Sequence, residues 1–177
     1  MKEDEFVEKL KSLLDNDLKK KYELKDKINL IYKIIINDKY EVDPDSNEIK
    51  NPKRGHYSFQ TDLVIMNKKN KIPLVVMEIK VNSLSTHDIL IYSTKAQKHK
   101  EIYPYLRYGL VVNNIDKLTN KFFTHNQGFD FAIVFSEKNK NKLVDIIKTQ
   151  IKSAEKLLDV LKNKNNTEYF NTIIKIG

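Results

Sequence analysis

Three ionisable side chains, Asp62, Glu78 and Lys80, stand in two segments that are otherwise mostly apolar. Residues 57–66 read YSFQTDLVIM and residues 72–81 read IPLVVMEIKV. Both segments are rich in β-branched and aliphatic residues, as strands are, and the polar turn NKKNK joins them. The pattern therefore predicts a β-hairpin that carries two acids and a lysine.

The spacing of this hairpin predicts which side chains meet across it. With the turn centred on Asn70, antiparallel pairing places Asp62 opposite Glu78 and Gln60 opposite Lys80. Side chains alternate between the two faces of a strand, and directly opposed residues have Cβ atoms about 4.5–5.5 Å apart. We therefore expect Asp62, Glu78 and Lys80 to converge on one place.

The charges of Glu78 and Lys80 interrupt an apolar strand, LVVMEIKV, of the kind that is usually central in a sheet. Charged groups there must be paired, solvated in a cleft or bound to a metal. Two adjacent carboxylates repel each other, and a divalent cation removes the conflict; oxygen ligands suit Mg²⁺ or, alternatively, Mn²⁺. The lysine can then orient or deprotonate a water, as metal-assisted phosphodiester hydrolysis requires. The alternative is a structural ion pair of Lys80 with Glu78 or Asp62.

Asp62, followed after fifteen residues by Glu78-Ile79-Lys80, resembles the core motif of the PD-(D/E)xK nuclease superfamily. The stretch QTDLVIMNKKNKIPLVVMEIK is similar to the nuclease segment of type I restriction motor subunits, and the chain also resembles small type II restriction enzymes. The resemblance covers residues 57–112, about a third of the chain. It implies a restriction-endonuclease-like fold, Mg²⁺ bound by Asp62 and Glu78, and Lys80 assisting the attacking water.

The same resemblance implies further site residues. The family often adds an acid from the helix before the hairpin, and Glu8 or Glu5 can supply it here, although no spacing selects between them. Many members carry a glutamine in the helix after the motif, for which Gln97 is the candidate. Gln60, on the same predicted strand face as the first acid, is a further possible site residue.

Four basic residues near the hairpin are candidate DNA contacts. Lys95 and Lys98 lie in a polar run of the following helix, where phosphate contact and a solvated helix face are the two alternatives. Lys53 and Arg54 lie in a polar loop just before the hairpin, and loops beside a site often bind substrate. Arginine is also the preferred reader of guanine edges and phosphates.

The remaining chain supplies the elements that must hold the hairpin. Apolar residues at three- and four-residue steps predict an amphipathic helix at each end of the chain, and Ser85 or Thr86 can begin a third helix after the hairpin. The predicted class is α/β, a mixed sheet flanked by helices. The further predicted elements are helices over 3–20, 85–102 and 139–162, strands over 31–37, 107–112 and 129–135, an exposed loop over 43–56, and a last strand in the tail TEYFNTIIKIG.

Length and composition restrict the number of domains, the chemistry and the partners that can be expected. The 177 residues fit one domain, 1–177, and the absence of cysteine excludes disulfides, thiolate metal sites and cysteine nucleophiles. No signal peptide or membrane-spanning run is recognisable, so a soluble, cytoplasmic protein is expected. The net charge of +8 permits a nucleic-acid partner, but 30 of the 32 basic residues are lysines, which A/T-rich codons alone can produce.

The main hypothesis is a Mg²⁺-dependent DNA endonuclease of restriction type, as found in restriction-modification systems. A domain of this size offers one active site, so cutting both strands requires a homodimer or a partner subunit. The alternatives are a repair or recombination nuclease that recognises DNA structure, and a non-catalytic nucleic-acid-binding module on the same fold.

Overall fold

A five-stranded mixed sheet forms the centre of the protein, seen here in a computed structural model that describes residues 2–37, 39, 41–46, 48–53 and 55–177. Helices precede, connect and follow its strands. The elements are α1 (Glu3–Leu18), β1 (Tyr22–Ile35), β2 (Gly55–Asn67), β3 (Pro73–Val81), α2 (Thr86–Ile102), β4 (Arg107–Asn113), α3 (Asn120–His125), β5 (Phe131–Phe135) and α4 (Lys140–Asn163).

The strands follow one another across the sheet in the order β1-β2-β3-β4-β5. β1, β2 and β3 are antiparallel neighbours, whereas β3, β4 and β5 run parallel. The parallel pairs need crossovers, and α2 and α3 lie in these connections. The predicted class, an α/β protein with a mixed sheet and flanking helices, is confirmed.

Two apolar layers cover the two faces of the sheet. α1 and α4 pack on one face through residues such as Phe6, Leu10 and Ile147. α2 and α3 pack on the other face, where Ile89 and Phe122 meet the strands. β3 is covered on both sides, and each of its residues from 73 to 79 is buried, which explains why its sequence is almost continuously apolar.

The sequence predicted most element positions, with three differences. β1 is longer than the predicted 31–37 strand and begins at Tyr22. The short helix α3 was not predicted. The predicted last strand is wrong: residues 165–177 form no helix or strand, and the apolar side chains of Tyr169, Phe170 and Ile174 are more than 80% exposed. The tail pairs with no strand of the described chain, so its apolar residues have nothing to be buried against.

Within the described segments, none of the helices combines the length and apolarity required to cross a membrane.

Candidate active site

Asp62 lies where β2 and β3 stop pairing through their backbones. The ladder pairs Ile65 with Val75, and its last pair joins Leu63 to Met77, which is the predicted register. One residue further, the Asp62 carboxylate takes the place of a backbone acceptor: its Oδ2 accepts a hydrogen bond from the Ile79 N–H at 2.7 Å. The Asp62 carboxylate is therefore held against the β3 backbone at Ile79, the residue between Glu78 and Lys80.

Glu78 is fully buried in the middle of the sheet. Its Oε1 accepts a hydrogen bond from the Tyr108 hydroxyl and forms an ion pair with the Lys95 ammonium at 2.8 Å. Its Oε2 is also buried but has no hydrogen-bond partner among the described residues. Burial raises the pKa of Glu78 to about 7, and the charge of Asp62 acts in the same direction, against the lowering effects of Lys95 and Tyr108.

Lys95 of α2 reaches into this site. Its Nζ lies 2.8 Å from Glu78 Oε1 and donates to the backbone carbonyl of Gln60 at 2.8 Å. It also lies over the Tyr92 ring, 5.5 Å from the centroid, and its side chain is only 15% exposed.

Gln60 does not face Lys80 across the hairpin as predicted. The described pairing of β2 with β3 ends at Leu63 and Met77, and Gln60 pairs with Asn29 of β1.

Lys80 lies beside the start of α2. Its Nζ is 3.0 Å from Asp88 Oδ1, and the other Asp88 oxygen accepts from the Ser85 backbone N–H and hydroxyl, at 2.9 and 2.6 Å. These hydrogen bonds and the ion pair outweigh burial and lower the pKa of Asp88 to about 2. The N-terminal cap of α2 thus anchors Lys80 through a carboxylate.

Glu3 of α1 interacts electrostatically with Asp62 and Lys80. Burial raises its pKa, as does the charge of Asp62, while Lys80 acts in the opposite direction. The two acids singled out by sequence contact other groups: Glu8 pairs with Lys11 at 3.0 Å, and Glu5 accepts from the Lys2 backbone N–H at 3.0 Å. No spacing rule distinguishes Glu3, because its position depends on how α1 docks on the sheet.

Two other predicted residues, Gln97 and Lys98, contact groups outside the predicted site. Gln97 donates to the Gln127 carbonyl at 3.4 Å, and Lys98 pairs with Glu101 at 2.7 Å. Gln97 is two positions from Lys95 and so lies on a different side of α2. The Lys53 backbone N–H donates to the Ile36 carbonyl at 2.6 Å in the loop before β2. Arg54 lies outside the described residues.

Sequence reasoning missed two aromatic residues behind the acids, Tyr108 and His99. Tyr108 is buried in β4, in the apolar run RYGLVV, where a tyrosine gives no sign of a polar partner. The His99 ring stacks on Tyr108 at 5.7 Å between centroids, and its Nε2 lies 3.1 Å from the Leu30 carbonyl oxygen. Burial lowers the pKa of His99 to about 4, so this ring is neutral at pH 7.

The two carboxylates, Asp62 and Glu78, are candidate ligands for a small divalent cation. The Oε2 atom of Glu78 is buried and receives no hydrogen bond from the described residues, and the charge of the Asp62 carboxylate acts on Glu78. Within the described residues, no three acidic or histidine side chains cluster closely enough to hold an ion. Two carboxylates with water and substrate oxygens are nevertheless a common set for Mg²⁺.

No protein-family model matches the chain, and a search of curated proteins gave no match. These two comparisons therefore assign no role to Asp62, Glu78 or Lys80.

Proposed function

We propose that this protein is a metal-dependent DNA endonuclease of restriction type, built on a restriction-endonuclease-like fold. The observation that carries the proposal is the buried Glu78 carboxylate, which keeps one oxygen without a hydrogen-bond partner among the described residues and whose pKa is raised further by the charge of Asp62. The position of the hairpin supports it further, because α1 precedes the acid-bearing strands, α2 follows them, and β4 returns parallel to β3. This is the order of elements that the motif resemblance implies.

Asp62 and Glu78 would hold Mg²⁺, which when bound would polarise the scissile phosphate and activate water. Lys80, two residues after Glu78 in β3 and paired with Asp88, would supply a positive charge to the site. Its side chain is 26% exposed, in contrast to the fully buried Glu78. A phosphate that approaches from solvent can therefore contact the ammonium of Lys80. The ammonium would offset the negative charge of the phosphate and orient the attacking water.

The positive charge of the protein is compatible with a polyanionic substrate such as DNA. The net charge of +8 favours a polyanion, and lysines at positions 53 and 98, with Arg54, remain predicted phosphate or base contacts. The described residues carry one set of two acids and a lysine of this kind. Cleavage of both strands therefore requires a homodimer or a partner subunit.

The proposal is tested with purified protein and supercoiled plasmid. With Mg²⁺ the wild-type protein should nick or linearise the plasmid, and excess chelator should stop the reaction. Glu78→Ala and Lys80→Ala should abolish cleavage, whereas Lys148→Ala, which removes an ion pair between α4 and Asp17, should not. Cleavage that survives both site substitutions would exclude this site.

A non-catalytic DNA-binding module is the second candidate. The observation that favours it is the Lys95–Glu78 ion pair, which gives the buried acid a structural partner without any metal. DNA binding without cleavage under Mg²⁺ or Mn²⁺ would support this candidate. Strong preference for branched or single-stranded DNA over plasmid duplex would instead indicate a repair nuclease.

A further inference from the structure

We propose that Lys95 and Tyr108 are positioning residues that hold one oxygen of Glu78 so that its other oxygen is available to a divalent cation. Both side chains bind Oε1: Lys95 through its ammonium at 2.8 Å and Tyr108 through its hydroxyl. Oε2 receives no hydrogen bond from the described residues. The contacts of Lys95 and Tyr108 are therefore both made with Oε1 of Glu78, and neither is made with Oε2.

This distribution fixes the rotation of the carboxylate. A buried acid without such contacts can turn about its terminal torsion, which is broad and roughly two-fold. Two donors on the same oxygen, approaching from α2 and β4, select one rotation. The free oxygen is then presented in a fixed direction, which lowers the ordering cost of binding an ion.

The two positioning residues are themselves held in place. Lys95 donates a second hydrogen bond to the Gln60 carbonyl and lies over the Tyr92 ring. Tyr108 stacks on His99, and its backbone N–H donates to Asp130 Oδ2 at 2.7 Å. The direction of Glu78 Oε2 is thus set by β2, α2 and β4 together.

Lys95 could instead take the place of the metal ion, and the two roles predict opposite changes in cation binding when Lys95 is removed. If the ammonium were a substitute for the metal, its removal would relieve competition and strengthen cation binding. If Lys95 positions Glu78, its removal weakens binding. Loss of a residue that orients a metal ligand typically costs 10–100-fold in affinity.

The inference rests on the proposed metal site and is tested without DNA, by isothermal titration calorimetry with Mn²⁺ at pH 8. Lys95→Met and Tyr108→Phe should each weaken Mn²⁺ binding about 10-fold or more, and Lys95→Arg should recover part of the loss. Lys148→Met, the matched control on α4, should bind as the wild type does. Thermal melts of the metal-free variants check folding; should Lys95→Met not fold, Tyr108→Phe carries the test.

The possible failures are distinguishable. Unchanged or tighter Mn²⁺ binding by folded Lys95→Met, or by Tyr108→Phe if Lys95→Met does not fold, would overturn the positioning role while leaving the metal site intact. Absence of Mn²⁺ binding by the wild type, or undiminished binding by Asp62→Asn, would overturn the proposed function itself and the positioning role with it.

Discussion

At Glu78, burial and the charge of Lys95 act in opposite directions on the pKa of one carboxyl group. Burial raises its pKa to about 7, and Lys95 and Tyr108 limit the rise. Charged groups are excluded from the interior of a sheet unless something compensates them. The site therefore holds an acid that is close to its midpoint of ionisation at neutral pH, and a cation there would favour the ionised form.

The raised pKa has a consequence for stability. Because the folded state holds the proton of Glu78 more tightly than the unfolded state, it is favoured at low pH, and this contribution is lost as the pH rises from about 4.5 to about 7. The loss is on the order of 3 kcal/mol. Glu78→Gln cannot titrate, so its stability should fall less than that of the wild type over the same range.

Urea denaturation of both proteins at pH 4.5 and pH 8, without divalent ions, measures this difference. Only the change with pH is compared, because Glu78→Gln also alters the contact with Lys95. Parallel changes in the two proteins would show that Glu78 is not protonated in the folded state near neutral pH.

At the scale of elements, the packing of β4 against β5 supports the site. Gly109 follows Tyr108 and pairs with Phe131, and a Cβ at Gly109 would lie 2.1 Å from the Phe131 ring. Gly109→Ala should overpack this contact and destabilise the fold by about 1–3 kcal/mol. Chemical denaturation checks the value, and adding Phe131→Leu should recover part of it; a Gly109→Ala variant as stable as the wild type would contradict this packing.

The sequence predicted those helices and strands whose hydrophobic pattern lies within a short stretch of neighbouring residues. The hairpin register follows from turn length and strand alternation, which is why Leu63 and Met77 pair as expected. The early part of β1, YELKDKINL, was missed because an edge strand with a solvated face mixes charges into its pattern. The contacts of Lys95 and Tyr108 with Glu78 depend on tertiary packing between α2, β4 and β3, which no local pattern contains.

At the scale of the whole molecule, the net charge of +8 predicts salt-dependent DNA binding. Each phosphate contact contributes a slope of about −0.9 to the logarithm of affinity against the logarithm of salt concentration. Lys98→Met should therefore reduce the steepness of this slope by about 1, measured by fluorescence anisotropy with duplex DNA in chelator. An unchanged slope would remove Lys98 from the predicted DNA contacts.

Asp62, Glu78 and Lys80 are proposed to cut DNA with the help of a divalent cation. The most direct measurement is the initial rate of plasmid cleavage in Mg²⁺ by the wild type and by Asp62→Asn, purified identically. Asparagine keeps the shape of the side chain but removes its charge, so we expect the rate to fall by at least about 100-fold, in keeping with loss of a group essential to metal-assisted hydrolysis. Equal rates for the two proteins would contradict the account.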